Sequence, residues 1–285
     1  MAGLIPKLIA ADLDRTLLTS DKRITEKTAG VLRGLHDRFG TEIVPATGRM
    51  LTGIPEDLWR IGCIRYVITE NGAGIHDVAK NELLYQCRIP YSTAAELVRF
   101  MDRLPVLYDC YIDGKAYMPE RFFKDVDVCI PNRSLVAMIR TRWIAVPDLY
   151  ETIMEMGRDV MKIQCYVKAT DEAERISVRD RIASQFPEVR ISSTMSYHLE
   201  IGNRDATKGR ALEILSDMLG IPPEETMAFG DGDNDLPLLA SAGRGVAMRD
   251  ATSELMHVAD DVTRFGSDED GVAAYLEEML RSGTE

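Results

Sequence analysis

Two short acidic segments, far apart in the chain, carry residue types suited to phosphorus chemistry: Asp12-Leu13-Asp14-Arg15-Thr16-Leu17 and Gly230-Asp231-Gly232-Asp233-Asn234-Asp235. A carboxylate can attack phosphorus to form an aspartyl-phosphate that water then hydrolyses, so one hard step becomes two easier ones. Asp12 is the candidate nucleophile. Asp14, two residues on, points the same way if the backbone stays extended, which suits it to protonate the leaving oxygen and then deprotonate the attacking water. Its backbone carbonyl, unlike its carboxyl, is a candidate metal ligand. An anionic nucleophile and a phosphate group repel each other until a divalent cation bridges them. Asp231 is the second candidate carboxylate for that cation, with Asp235 either a direct ligand or acting through a water. Magnesium keeps several waters and takes few carboxylates, which suits this ligand set. Charge building on the transferring phosphoryl group also calls for donors and a fixed positive charge, for which Thr47, the Gly48 amide, Asn234 and Lys208 are the candidates.

These residues need strand ends to hold them. Leu8-Ile9-Ala10-Ala11 and Met227-Ala228-Phe229 are short apolar runs that read as buried strands, each delivering its acidic segment at a carboxyl end. Loops from neighbouring parallel strands converge at that edge. Val31, Leu32, Leu35 and Phe39 recur at helical spacing, with Thr25 as N-cap and Gly40 as stop. Thr41 to Pro45 and Arg65 to Thr69 read as further strands, a βαβαβ start that predicts an α/β, doubly wound parallel-sheet (Rossmann-like) core. Near Leu83 the pattern changes to mixed strands (Val106 to Ile112, Met161 to Val167) and helices (Thr93 to Leu104, Glu172 to Phe186). Alternation returns with a helix at Lys208 to Leu219 and strands at Thr226 to Phe229, Gly245 to Met248 and Asp261 to Thr263. The reading is a core of residues 1–83 and 196–285 with an inserted α+β domain, 84–195, of roughly 110 residues.

Composition narrows the classes. A formal charge of −12 argues against general nucleic-acid affinity, since backbone binding needs clustered Lys and Arg. Phosphorylated small molecules stay open, because local groups and a bound cation set attraction there. No run is long and apolar enough for a membrane span, and Met1 to Ala11 reads as structure, not as a signal peptide. The five cysteines are odd in number and never spaced Cys-x-x-Cys, as expected of free thiols in a reducing cytoplasm. His36, His76, His198 and His257 have no metal-ligand spacing. A calcium loop starting at Asp231 would need glycine at position 236 and glutamate at 242, where Leu236 and Ala242 stand.

Asp-x-Asp-x-Thr after the first strand, Thr47-Gly48-Arg49 after the second, Lys208-Gly209 opening a late helix, and Gly-Asp-Gly-x-Asn-Asp together resemble the four motifs of the haloacid dehalogenase-like phosphatases. The resemblance is to the Cof-type branch, whose cap domain lies between the second and third motifs. Thr69-Glu70-Asn71-Gly72-Ala73, Leu199-Glu200-Ile201, Gly245-Val246-Ala247-Met248 and Asp268-Glu269-Asp270-Gly271-Val272 support it. It implies a magnesium-dependent phosphohydrolase of small phosphorylated metabolites, commonly sugar phosphates, as monomer or small homo-oligomer. Asp12 is implied as nucleophile, Asp14 as acid/base, Thr47 and Lys208 on phosphate, and Asp231 on metal.

Two positions depart from the family pattern. Arg15 replaces the usual glycine, making the turn less permissive and adding a cation beside the site. Arg249-Asp250 replaces Gly-Asn, outside the catalytic set. A phosphomutase or phosphotransferase of the same chemistry, and a binding-only regulator, are the alternatives. Substrate choice is expected to reside in the cap, where Tyr108, Tyr111, Tyr117, Arg121, Phe122 and Arg133 are available for stacking or anion binding, although strand aromatics commonly pack.

Overall fold

The structure, a computed structural model, describes residues 5–167 and 172–282, so the start of the Met1 to Ala11 stretch lies outside the described residues. It forms two compact units, one made of the residues up to Gln86 together with those from Thr207 on, the other of Cys87–Ala206.

In the first unit, β1 (Leu8–Ala11) is buried at all four positions. The helix α1 (Glu26–Phe39) starts where the Thr25 hydroxyl accepts the Thr28 N–H and stops at left-handed Gly40. After β2 (Glu42–Pro45) the expected helix is absent. Two 3₁₀ segments, Leu51–Gly53 and Glu56–Ile61, stand there instead. Gly53, Pro55 and Gly62 break this stretch into pieces shorter than a stable α-helix needs. The next strand also departs from expectation. β3 (Tyr66–Thr69) pairs antiparallel with β4 (Gly74–Asp77), and β4 with β5 (Glu82–Gln86), while an Ala46–Ile68 bridge connects β3 to the end of β2.

The second unit runs α2 (Tyr91–Met101), β6 (Leu107–Ile112), β7 (Lys115–Pro119), α3 (Val126–Cys129), α4 (Arg133–Arg142), β8 (Ile144–Val146), α5 (Leu149–Met156), β9 (Lys162–Tyr166), α6 (Glu172–Gln185), β10 (Val189–Met195) and β11 (His198–Asn203). Its sheet has the order β10-β11-β9-β6-β7-β8, antiparallel except for β7–β8. Strand alternation sorts its residues. Tyr108, Cys110, Ile163, Cys165 and Leu199 share a core with Leu97 and Val98 of α2, Ile153 of α5 and Ile182 of α6. Leu107, Met118 and Tyr166 pack on the other face with Val136 and Ile139 of α4. The three strand tyrosines Tyr108, Tyr111 and Tyr117 are buried. Arg121 and Arg133 are ion-paired with Asp102 and Asp127, and Phe122 meets the Tyr108 ring edge-on.

The units divide later than the sequence suggested, after Gln86 and Ala206 instead of after residues 83 and 195. Pairing decides both limits. β5 completes a sheet with β4, and β11 is hydrogen-bonded on both sides by β10 and β9.

The chain returns to the first unit with α7 (Lys208–Leu219), β12 (Thr226–Gly230), α8 (Leu236–Ser241), β13 (Arg244–Ala247), α9 (Ser253–Val258), β14 (Asp261–Val262) and α10 (Gly271–Ser282). The main sheet, β14-β13-β12-β1-β2, is parallel throughout. Ile9, Ile43 and Phe229 pack with Leu32 and Leu35 of α1 and Leu276 of α10. Leu8, Ala10, Val44 and Ala228 pack with Leu212 and Leu215 of α7, Leu239 of α8 and Leu255 of α9. Helices therefore cover both faces, as a parallel sheet with two apolar faces requires. The architecture is an α/β, Rossmann-like core with an additional α+β unit.

Candidate active site

β1 and β12 are adjacent parallel strands paired Ala11 to Phe229, so Asp12 and Asp231 leave the same sheet edge side by side. The Asp12 N–H donates to the Phe229 carbonyl at 3.0 Å, which locks their relative height. Lys208 opens α7, whose first turn is capped by Thr207 accepting from the Arg210 N–H. Two glycines let that helix start come close. Gly72 has φ +99°, and a Cβ there would stand 2.1 Å from the Thr207 carbonyl oxygen. A Cβ on Gly209 would stand 2.1 Å from the Pro237 carbonyl oxygen. With both absent, α7 sits against the loop after β3 and against α8, and Lys208 is driven wholly inside the unit.

There its ammonium lies 2.6 Å from Asp12 Oδ1 and 2.6 Å from Asp235 Oδ1. Asp235 turns its other oxygen to the N–H groups of Asp231 (3.0 Å) and Gly232 (3.1 Å). Both Asp235 oxygens are thus engaged, which suits it to orient the loop and Lys208. Asp12 Oδ2 and the Asp231 carboxylate accept no hydrogen bond among the described residues. Carboxylate oxygens of Asp12, Asp231 and Asp235 lie within 4.8 Å of one another. Hard oxygen donors at a largely buried edge, with Asp12 Oδ2 accepting no hydrogen bond and Asp231 facing Arg15 at 3.5 Å, fit a divalent cation such as magnesium.

Burial pushes the Asp12 carboxyl above its ordinary range; Lys208 opposes this, and Asp235 and Asp231 add to it. Asp231 is raised to about 6 by burial and by Asp235, against the pull of Arg15 and Lys208. Burial works against the Lys208 charge, but Asp12 and Asp235 outweigh it and raise its pKa. Negative charge accumulated at one buried edge is what a cation or phosphate-transfer site needs to manage.

Asp14 is placed differently. The backbone from Asp12 is not extended but turned, with Thr16 N–H to Leu13 carbonyl and Leu17 N–H to Asp12 carbonyl, and Arg15 at φ +66°. The same-face argument from an extended chain therefore fails here. The Asp14 carboxylate is clasped by Arg49, Nε to Oδ2 at 2.8 Å and an Nη to Oδ1 at 2.7 Å, and by Lys22 at 2.8 Å. Burial disfavours its charge, yet these hydrogen bonds hold it down to about 2.

Thr47 is buried, with its hydroxyl accepting the Arg49 N–H at 3.1 Å. Gly48 abuts Asn71, whose Oδ1 accepts Asn234 Nδ2 at 3.0 Å. Asn71 thus ties the loop after β2 to the loop after β12. Lys22 belongs to none of the motifs; its one signal in the sequence is a cation eight residues from Asp14 in a turn-rich segment. Asp250, outside the catalytic set, reaches the site through Arg15.

The family model for haloacid dehalogenase-like hydrolases matches residues 9–276. The chain belongs to that family. Within the haloacid dehalogenase-like hydrolases, a unit inserted between the second and third motifs is the Cof-type arrangement. Phosphatase YwpJ of Bacillus subtilis (strain 168) is 28% identical over 297 residues, spanning 96% of this chain and 100% of its own. The 5-amino-6-(5-phospho-D-ribitylamino)uracil phosphatase YitU of the same organism is 28% identical over 276 residues, with 96% and 98% covered. A solved haloacid dehalogenase-like hydrolase from B. subtilis superposes with a TM-score of 0.77 at 28% identity, covering 95% of this chain and 99% of that one.

Proposed function

We propose that the chain, a phosphatase of the haloacid dehalogenase-like family, removes phosphate from small phosphorylated metabolites such as sugar phosphates, with magnesium and through an aspartyl-phosphate on Asp12. The observation that carries this reading is Lys208, fully buried, holding both Asp12 and Asp235 at 2.6 Å beside Asp231. Lys208 opposes the rise that burial imposes on the Asp12 pKa and aims its carboxylate, as a nucleophile requires. The Asp12 carboxylate attacks phosphorus and the P–O bond to the leaving alcohol breaks. Water then attacks the aspartyl-phosphate, releasing phosphate and restoring Asp12. Thr47, the Gly48 amide, Asn234 and Lys208 hold the phosphoryl oxygens. Magnesium held by Asp12, Asp231 and the Asp14 carbonyl, with Asp235 behind them, would supply the positive charge that offsets repulsion between carboxylate and phosphate. Asp14, kept ionised by Arg49 and Lys22, suits the base role toward the attacking water; donating a proton to the leaving alcohol needs its carboxylate to slip that clasp.

The named substrate of YitU, 5-amino-6-(5-phospho-D-ribitylamino)uracil, carries its phosphate on a ribityl chain, which supports a phosphomonoester on a polyol or sugar here. Five cysteines, none of them in a disulfide, agree with a cytoplasmic enzyme of small metabolites. Phosphate release from a panel of sugar, polyol and nucleotide monophosphates is expected with magnesium, is lost with EDTA, and falls at least ~1000-fold in Asp12→Asn. Release that persists in Asp12→Asn would overturn the nucleophile; release without a divalent cation would overturn the metal.

A further inference from the structure

Arg15 and Asp250, one from each stretch that departs from the family pattern, meet in space, although they lie far apart in the chain. One guanidinium nitrogen of Arg15 lies 3.5 Å from Asp231 Oδ2, and the other lies 3.3 Å from Asp250 Oδ2 and 3.4 Å from the Asp250 carbonyl oxygen. Arg15 occupies a left-handed backbone position, φ +66°, that glycine takes freely and a side chain takes at a cost. What the arginine adds there is a second cation at the site, next to the carboxylate that Lys208 does not reach directly. Asp250 is held at a set distance from Asp231 by the backbone. The Thr252 N–H donates to the Asp231 carbonyl at 2.9 Å, and the Met248 N–H to the Gly230 carbonyl at 2.9 Å. Arg249 beside it is turned away to Glu269, so the adjacent cation does not compete for Asp250.

We propose that Arg15 and Asp250 are positioning residues that set how tightly the site holds its divalent cation. Arg15 competes with the cation for Asp231, and Asp250 restrains Arg15 by offering it a second carboxylate. This rests on the cation site of the proposed function. A guanidinium fork can bridge two carboxylates at once; a lysine ammonium in the same place cannot do so with the same geometry.

The test is isothermal titration of the substrate-free protein with Mg2+ alone, with Mn2+ paramagnetic resonance as a second readout. Arg15→Gly suits the positive φ, so it is expected to fold at least as well as wild type. It is expected to tighten Mg2+ binding about tenfold by removing the competing charge, an advantage that shrinks at high ionic strength. Asp250→Asn is expected to weaken binding severalfold, because Arg15 is then left to Asp231 alone. In the Arg15→Gly background the Asp250→Asn change is expected to fall to about twofold, the residual effect of one lost nearby charge. Arg15→Lys keeps a cation but not the bridge to both carboxylates, so its Mg2+ affinity is expected to depart from wild type; wild-type affinity in this variant would overturn the bridging role of the fork. Binding abolished in Asp231→Asn but unchanged within twofold in Arg15→Gly would overturn this inference and leave the cation site standing. Additive effects of Arg15→Gly and Asp250→Asn would overturn the restraint by Asp250. No Mg2+ uptake by wild type and Arg15→Gly alike would overturn the cation site, and this inference with it.

Discussion

Asp12 in the first unit and Asp109 in the second are both carboxyls closed off from water, and they differ in what faces them. Asp12 has the Lys208 ammonium at 2.6 Å, itself sealed inside the unit, and a free second oxygen. Asp109 receives neutral donors, Trp143 Nε1 and the Tyr166 hydroxyl, both at 2.9 Å on Oδ2, while Oδ1 has no hydrogen-bond partner among the described residues. The nearby Lys162 is paired with Glu200 at 2.8 Å. Burial therefore pushes Asp109 up to about 7, with Trp143 and Tyr166 holding against it incompletely. Burial thus makes a carboxyl costly to ionise in either unit and raises Asp12, like Asp109, to about 7; what sets Asp12 apart is a buried ammonium that opposes the rise and a second oxygen left open.

The largest effect bearing on this contrast is expected from Lys208→Met. It removes the one cation bonded to both Asp12 and Asp235 and leaves two buried carboxyls uncompensated, a change that costs about 3–5 kcal/mol when a buried pair loses one partner. Urea unfolding of the metal-free protein at pH 7.5 reads this as a large drop in midpoint, accompanied by loss of phosphate release. A loss below about 1 kcal/mol would mean that the Lys208 pairs contribute little, and the contrast with Asp109 would collapse.

Asp109→Asn is expected to have a smaller effect of opposite sign above neutrality. The native Asp109 carboxyl keeps its proton up to about pH 7, whereas the unfolded chain releases it near ~3.9. Between these values the unfolded state binds fewer protons than the native one. Stability from this group is therefore full below about pH 4, declines as pH rises to about 7, and is level beyond. Each pH unit in that window costs roughly 1.4 kcal/mol, so the whole decline is on the order of a few kcal/mol. Asp231, also raised, adds to the decline in the same direction. Asparagine keeps an acceptor for Trp143 and Tyr166 and removes Asp109's share of the slope, so denaturation from pH 4 to pH 8 in wild type and variant measures it. Parallel curves would show that Asp109 is already ionised at low pH, like an ordinary paired acid.

The smallest effect concerns Asp14, the site carboxylate with the most cationic surroundings. Arg49→Gln removes two of the three hydrogen bonds on it and lets its pKa climb from about 2 toward the ordinary range. Followed by carboxyl-carbon NMR, the Asp14 titration is expected to move up by about one pH unit in the variant. An unmoved titration would show that Arg49 does not hold the Asp14 charge.

Local chemistry made much of this molecule legible in one dimension. The four-residue apolar strands, the Thr25 and Gly40 ends of α1, and the start of α7 at Lys208 follow from patterns that short segments enforce by themselves. The acidic segments read correctly because strand ends in a parallel sheet have few places to go, and Asp12 and Asp231 emerge together from β1 and β12. Elsewhere the reading by alternation misled. The stretch between β2 and β3 looked helical by alternation alone but is broken into 3₁₀ pieces, whereas the antiparallel β3–β4 pair is local, since residues 70–73 are too few for the crossover a parallel pair needs.

The sequence by itself determined which residues are candidates for chemistry and roughly which elements present them, because residue type, spacing and capping act over a few bonds. The tertiary structure alone decided that both Asp235 oxygens are spent on Lys208 and two amides, that Asp14 is clasped by Arg49 and Lys22, and that Arg15 meets Asp250. Those outcomes depend on distances across the fold, where a change of an ångström separates a free ligand from a neutralised one, and electrostatic and hydrogen-bond energies fall off on that same scale.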